Sequence, residues 1–152
     1  MRAALGALVL VVLAAACTEV PESAAPAPQP DRVEAVIDLS DQAVTVTRRA
    51  GGRVETHVWP VSTGRAGYPT PTGRFHPTML SPNHRSSLYD DAPMPWSVFF
   101  NGNIGIHGTY EIASLGRPVS HGCVRLHPDH ARTFYAMVEA AGKSATLITV
   151  QP

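Results

Sequence analysis

Cysteine is scarce in this chain of 152 residues, which contains only Cys17 and Cys123. Two cysteines cannot build the disulfide framework on which many small exported domains depend. A bridge between these two is not expected either, because Cys17 lies at the end of an apolar leader. Cys123 is therefore predicted to be a free thiol, and a lone thiol of this kind calls for a chemical reason.

The chain also lacks an excess of charge and a long hydrophobic run. Its 12 Lys and Arg residues balance 12 Asp and Glu residues, and the basic residues are scattered. Without a basic stripe, no nucleic-acid partner is expected. The apolar run from Ala3 to Ala16 is shorter than the roughly 20 residues that span a bilayer. No internal repeat is visible, so a repeat architecture is not expected.

The N-terminal segment has the pattern of a secretory signal. Arg2 precedes the apolar run, and small residues end it, which predicts a signal peptide over residues 1–16. The string from Leu13 to Cys17 resembles a bacterial lipoprotein processing site, in which Cys17 would carry lipid. Ordinary cleavage after Ala14-x-Ala16 is the alternative. Both interpretations place the mature chain outside the cytoplasm, in the periplasm or cell envelope.

The remaining sequence divides into a tether and a single domain. Residues 17–30 are rich in Pro and Ala and have little to bury, which predicts an extended tether after the lipid-anchor cysteine. Residues 31–152 are long enough for one domain with a small core. Their period-two alternation, as in Val33, Ala35 and Ile37, predicts a mainly β structure.

One helix is expected in the C-terminal half of the chain. Pro128 suits the first helical position, Asp129 suits the positive end of the helix, and Gly142 suits its C-terminal stop. Apolar residues at helical spacing lie between them. A final strand is predicted over residues 145–150. The helix is expected to pack on the sheets.

Side chains suited to catalysis are concentrated in two short strings, His107-Gly108 and the run from Ser120 to Leu126. If the second string is extended, then His121, Cys123 and Arg125 share one face, and the intervening apolar residues anchor the other. Arg125 and a protonated imidazole are expected to lower the pKa of the Cys123 thiol. The thiolate would then attack a carbonyl carbon and form a thioester.

These two strings resemble the catalytic domain of the L,D-transpeptidase (YkuD-type) family. Val61-Ser62-Thr63-Gly64 and Pro69-Thr70-Pro71-Thr72-Gly73 agree with the same family. The resemblance implies a β-sandwich-like fold with a helix against it. It also implies that the substrate is a peptidoglycan stem peptide, which loses D-alanine and passes its acyl group to an amine. The outcome is a 3-3 crosslink, attachment of a protein or exchange of a D-amino acid, and no cofactor is implied.

The resemblance also assigns catalytic roles to individual residues. Cys123 is the nucleophile, and His107 is the general base and acid, oriented through the backbone carbonyl of Gly108. His121 and Gly122 line the site, and backbone N–H groups near Cys123 form an oxyanion hole. A hydrogen-bonded structural role is the competing interpretation of His121.

Three further residues are expected to bind substrate: Arg125, Ser120 and Trp96. Arg125 is also assigned to support of the thiolate, and a surface cation is its alternative. Trp96 lies in an aromatic stretch that favours either the core or the wall of the cleft.

Other functions remain open at the level of sequence. The same family includes hydrolases that act as L,D-carboxypeptidases, and a catalytically inactive wall-binding lipoprotein is a further possibility. His107, His121, Cys123 and His127 offer enough ligands for zinc, although their spacing matches no common pattern and no metal is expected. A papain-like endopeptidase is less favoured, because its cysteine precedes its histidine in the chain.

Overall fold

The computed structural model of the protein describes residues 30–152. The predicted signal peptide, Cys17 and the tether through residue 29 lie outside the described residues. The described chain forms these elements in order: β1 (Arg32–Asp38), β2 (Ala43–Ala50), β3 (Arg53–Pro60), β4 (Gly73–Phe75), β5 (Met79–Arg85), β6 (Pro93–Asn101), β7 (Ile104–Gly108), β8 (Val124–Leu126), α1 (Pro128–Ala141) and β9 (Thr146–Gln151). A short 3₁₀ turn, Ile112–Ser114, precedes β8. The predicted mainly β architecture is confirmed.

The first sheet has five strands in the order β3-β2-β1-β9-β4. β1 pairs antiparallel with β2 and parallel with β9. Val33, Ala35 and Ile37 are buried on one face of β1, as the alternation predicts. The predicted third strand forms, but Val58 is 66% exposed. The register explains this, because Val44 lies opposite Trp59, so Trp59 and not Val58 shares the core face.

The second sheet has four strands in the order β5-β6-β7-β8. β6 and β7 form an antiparallel hairpin directly before the cavity. β8 then pairs in parallel with β7, which sets Val124 beside Ile106 and Arg125 beside His107. β4 has only three residues.

Helix α1 forms as predicted and packs against both sheets. Pro128 opens the helix, and the side chain of His127 accepts a hydrogen bond from the backbone N–H of Asp129. Gly142 ends it with a φ of 90°, a conformation that a side chain disfavours. The buried face packs into the core between the sheets through Ala131, Phe134, Tyr135, Met137 and Val138. Within residues 30–152, no helix combines the length and apolarity needed to cross a membrane.

Candidate active site

A cavity of about 370 Å³ opens beside the β7–β8 pair. The two chemical strings of the sequence meet there: His107, His121, Cys123 and Arg125 all line its wall. They are joined by residues from the loop before β6 and from the segment after β7. The cavity is therefore the candidate active site.

Cys123 lies directly before β8 and is half-buried at the cavity wall. Val124 and Leu126 are fully buried beneath it, which confirms the predicted alternation over this stretch. The extended run is shorter than predicted, because Gly122 has a φ of 113° and β8 begins only at Val124. The thiol donates a hydrogen bond to the carbonyl oxygen of Asn103, with a sulfur–oxygen distance of 3.6 Å.

His107 is held by the hydrogen bond to Gly108 that the family resemblance implies. Its Nδ1 lies 2.8 Å from the carbonyl oxygen of Gly108. A carbonyl only accepts, so Nδ1 carries the proton and Nε2 is left with a free lone pair. The ring is only 6% exposed, and burial lowers the pKa of His107 to about 4. At neutral pH this imidazole is a neutral base.

The expected thiolate is wrong for the resting site. Burial raises the pKa of the Cys123 thiol above its ordinary value. The Gly105 backbone and the Arg125 guanidinium act in the predicted, lowering direction, but desolvation outweighs them. The protonated imidazole that was expected to lower the thiol pKa is also missing, because His107 is neutral. The resting pair is a neutral thiol and a neutral imidazole.

Gly108 contributes only main chain to the site. A Cβ at this position would lie 3.1 Å from both Pro128 Cα and Pro95 Cγ. Such contacts require the neighbours to shift by a few tenths of an ångström. Gly108 therefore contributes its backbone carbonyl to the site, and this carbonyl orients His107.

Ser120, predicted to bind substrate, lines the cavity, but its hydroxyl is engaged by the backbone of its own loop. Its side chain donates to the Cys123 carbonyl oxygen at 2.6 Å and accepts from the Gly122 N–H at 3.1 Å. The residue is 1% exposed. The hydroxyl is thus occupied within its own loop, and its observable action is to fix the turn before the thiol.

His121 lines the cavity as a neutral ring. Arg65 Nη2 lies 2.7 Å from its Nε2, and the ring of Tyr89 stacks on it with centroids 4.4 Å apart. A guanidinium only donates, so Nε2 must accept. Desolvation, with the nearby charges of Arg65 and Arg125, lowers the pKa of His121. The hydrogen bond from Arg65 accounts for His121 as a structural residue, with no need for a role in proton transfer.

Arg125 lies in the cavity beside a carboxylate that the sequence analysis overlooked. Its Nη1 is 2.7 Å from Oε2 of Glu111, and the arginine side chain is 20% exposed. A guanidinium has five N–H donors, so most of them remain available to a ligand. The cavity thus presents a positive and a negative group side by side.

Trp96 is not at the site, contrary to its predicted substrate-binding role. It is absent from the cavity wall, and its ring lies 5.5 Å from that of Tyr135 on α1. It packs against the core cluster. Alternation along β6 does not predict this, because Met94, two residues earlier, lines the cavity. Trp96 has a φ of 58°, which departs from regular strand geometry.

The histidine and cysteine set considered for zinc is not gathered at one point. His127 lies at the start of α1, where it accepts from the Asp129 N–H. Across residues 30–152, no three His, Cys, Asp or Glu side chains are grouped closely enough to bind a metal ion.

The residues missed by the sequence analysis are isolated in the chain and meet the site only in space. Arg65, Tyr89 and Glu111 come from three separate loops. One signal was available for Arg65, which directly follows the string Val61-Ser62-Thr63-Gly64. That segment borders the cysteine loop, because Gly64 bridges to Ser120.

Comparison with known proteins agrees with this geometry. The profile of the L,D-transpeptidase catalytic domain (YkuD) matches residues 32–149. YkuD of Bacillus subtilis (strain 168), which is named for the same family, is 32% identical over 102 residues. The match covers 66% of this chain and 58% of YkuD.

Solved structures share the fold. The L,D-transpeptidase from Mycobacterium smegmatis matches with a TM-score of 0.65 and 27% identity. The LD transpeptidase LdtMt1, in complex with imipenem, matches with a TM-score of 0.66 and 25% identity. Each match covers 80% of this chain and 59% of the other. The predicted fold is thus confirmed, and the chain spans less than two thirds of the length of these relatives.

We predict that Cys123 alkylates slowly at neutral pH. Burial disfavours the anion, so the thiolate fraction at pH 7 should fall below the roughly 3% of an ordinary thiol. In Cys17→Ser protein, the rate with iodoacetamide should rise with a midpoint above about pH 8.5. The same chain unfolded in urea is the control and should show the ordinary midpoint. A plateau already reached below pH 8 in the folded protein would contradict the prediction.

Proposed function

Because the chain belongs to the L,D-transpeptidase catalytic domain family, we propose that it is a cysteine transpeptidase acting on peptidoglycan stem peptides. The observation that carries this proposal is the meeting of Cys123 and His107 in one cavity. His107 lies on β7 and Cys123 directly precedes β8, the parallel neighbour of β7. His107 presents a free Nε2 because Gly108 holds Nδ1. A thiol beside an oriented neutral imidazole suits acyl transfer.

The first half of the proposed reaction forms a thioester. As Sγ bonds to the carbonyl carbon of the third residue of a tetrapeptide stem, its proton passes to Nε2 of His107. The carbonyl electrons move to oxygen, and backbone N–H groups near Cys123 stabilise that charge. The carbon–nitrogen bond then breaks, His107 returns the proton to the leaving nitrogen, and D-alanine departs. The proton moves with the attack, so a resting thiolate is not required.

The second half transfers the acyl group. An acceptor amine attacks the thioester carbon, and the carbon–sulfur bond breaks. His107 takes a proton from the amine and returns one to Sγ, which restores the neutral pair. If water takes the place of the amine, the product is that of an L,D-carboxypeptidase.

The Arg125–Glu111 pair supports a stem with a diaminopimelate-type third residue. Such a side chain ends in both a carboxylate and an ammonium. The guanidinium of Arg125 suits the first group, and the carboxylate of Glu111, 2.7 Å from it, suits the second. Both residues line the cavity that contains Cys123.

We further propose that the domain acts in the periplasm or cell envelope. The apolar run over residues 3–16 supports export, and the position of Cys17 directly after it supports lipidation. A lipid at Cys17, followed by the Pro- and Ala-rich tether, would hold the domain near a membrane.

Incubation with a tetrapeptide stem and an acceptor amine tests the activity. Wild-type protein should release D-alanine and form a transfer product, both detected by mass spectrometry. Cys123→Ala should abolish release, and His107→Gln should slow it by about 10²- to 10⁴-fold, the usual contribution of a general base. His57→Gln is the matched control, because His57 lies on β3 outside the cavity.

The products of this incubation separate the alternatives. Release of D-alanine with only the free tripeptide would identify a hydrolase. No release and no trapped acyl-enzyme, together with binding of wall fragments that survives Cys123→Ala, would identify an inactive binding module and overturn the proposal.

We predict that Glu111→Gln weakens recognition of the substrate's side-chain ammonium. Gln keeps an acceptor for Arg125 but removes the negative charge. Because Glu111 is largely exposed, we expect kcat/KM to fall only about two- to fivefold, mainly through KM. Wild type should prefer an unmodified stem over one with that amine acetylated, and the variant should lose the preference. Asp90→Asn, a second cavity-lining carboxylate, should keep it, and an unchanged preference in Glu111→Gln would rule out this role.

Lipidation is tested by metabolic labelling with an alkyne fatty acid in a bacterial host. Wild-type protein should take up the label and sediment with membranes. Cys17→Ser should lose both properties, and Cys123→Ser, which retains Cys17, should keep them. Release of unlabelled wild-type protein that begins at Cys17 would instead indicate ordinary signal cleavage.

A further inference from the structure

The loop that carries the thiol is held by a second loop, residues 62–70, which has no role in the mechanism described above. The backbone N–H of Ser120 donates to the Thr63 carbonyl at 2.9 Å, and that of Arg65 donates to the Ser120 carbonyl at 3.0 Å. Gly64 and Ser120 form a bridge between the two segments. The cysteine loop therefore takes its shape partly from residues about 60 positions earlier in the chain.

The side chain of Thr70 connects these two loops at the residue directly before Cys123. Its hydroxyl donates to the carbonyl oxygen of Gly122 at 2.8 Å and accepts from the N–H of Gly64 at 2.9 Å. The residue is 3% exposed. A hydroxyl has one proton, so the donated bond fixes its direction.

This hydrogen bond determines how the peptide between Gly122 and Cys123 is oriented. No peptide bond in the described chain is cis. In a trans peptide the carbonyl and the N–H point in opposite directions. Thr70 and Gly122 are both absent from the residues that line the cavity, whereas Cys123 lines it. A Gly122 carbonyl held by Thr70 therefore leaves the opposite, cavity side of this peptide to the Cys123 N–H.

The neighbouring donor is already occupied. The N–H of Gly122 donates to Ser120 Oγ at 3.1 Å, which leaves the Cys123 N–H as the better placed of the two for a developing oxyanion. Gly122 itself gives this peptide no steric restraint, since it has no side chain and a φ of 113°. The orientation of the peptide therefore depends on hydrogen bonds.

We propose that Thr70 is a positioning residue for acyl transfer, which holds the Cys123 N–H towards the oxyanion by anchoring the Gly122 carbonyl. This inference rests on the proposed function, because an oxyanion forms only when the thiol attacks a carbonyl. Thr70 touches neither the substrate nor the sulfur, and it acts through the peptide alone.

The test compares two reactions of the same sulfur in Thr70→Val, which keeps the shape of the side chain and removes the hydroxyl. Acylation by imipenem or a tetrapeptide passes through an oxyanion, whereas alkylation by iodoacetamide does not. Acylation should slow by about 10²- to 10³-fold, the usual cost of losing one oxyanion donor. Alkylation should stay within about twofold, and the KM for the stem should change little.

Three further variants complete the experiment. Thr70→Ser keeps the hydroxyl and should restore acylation. Thr72→Val removes an exposed hydroxyl two residues beyond Thr70 and should acylate like wild type. Thr70→Ala provides a second hydroxyl-free variant in case valine disturbs folding, and every rate is taken per alkylatable thiol.

The outcomes separate the two proposals. Acylation at the wild-type rate in Thr70→Val or Thr70→Ala would overturn the positioning role. A parallel loss of acylation and alkylation in both variants would overturn it too, since that result indicates general damage to the site. Wild-type protein that alkylates but acylates with neither reagent would instead count against the proposed function.

Discussion

The parallel pairing of β7 with β8 is the constraint on which the site depends. It joins two segments separated along the chain by the Ile112–Ser114 turn and the cysteine loop, and it sets Val124 beside Ile106. Val124 and Leu126 are fully buried, so the hydrophobic effect fixes the register of β8. A slip of one residue would send the thiol into the core and Val124 into the cavity. The packing of the core therefore also places the thiol of Cys123 at the cavity.

Burial also decides the protonation state of the reacting groups. The same enclosure that orients His107 removes water from it and from the thiol, and each group then favours its neutral form. Arg125 opposes this effect on the sulfur but does not overcome it. The resting pair is therefore uncharged, and in the proposed reaction charge would develop only during the attack, in a site with fixed donors.

Polar groups near the sulfur are used mainly to hold backbone. Ser120 occupies both the Gly122 N–H and the Cys123 carbonyl, and Thr70 occupies the Gly122 carbonyl. A glycine with a positive φ gives the loop its turn but no rigidity. The buried hydroxyls supply that rigidity. Each one both donates to and accepts from backbone groups, and these hydrogen bonds can all form in only one orientation of the surrounding peptides.

The sequence determined the parts of this protein that follow from local spacing. The strings around His107 and Cys123 carry the family resemblance, which implies a nucleophile, a base and a hydrogen bond to Gly108, and the structure contains that hydrogen bond. Alternation predicts β1 and β2, and caps and helical spacing predict α1. Such features depend on neighbours along the chain, where period and residue type are informative. Tertiary structure decided the remainder. It turned Trp96 towards α1, occupied Ser120 within its loop, brought Glu111 to Arg125, and raised the thiol pKa against the sequence expectation. Desolvation and hydrogen-bond satisfaction depend on what surrounds a group in space, and distant segments supply those surroundings.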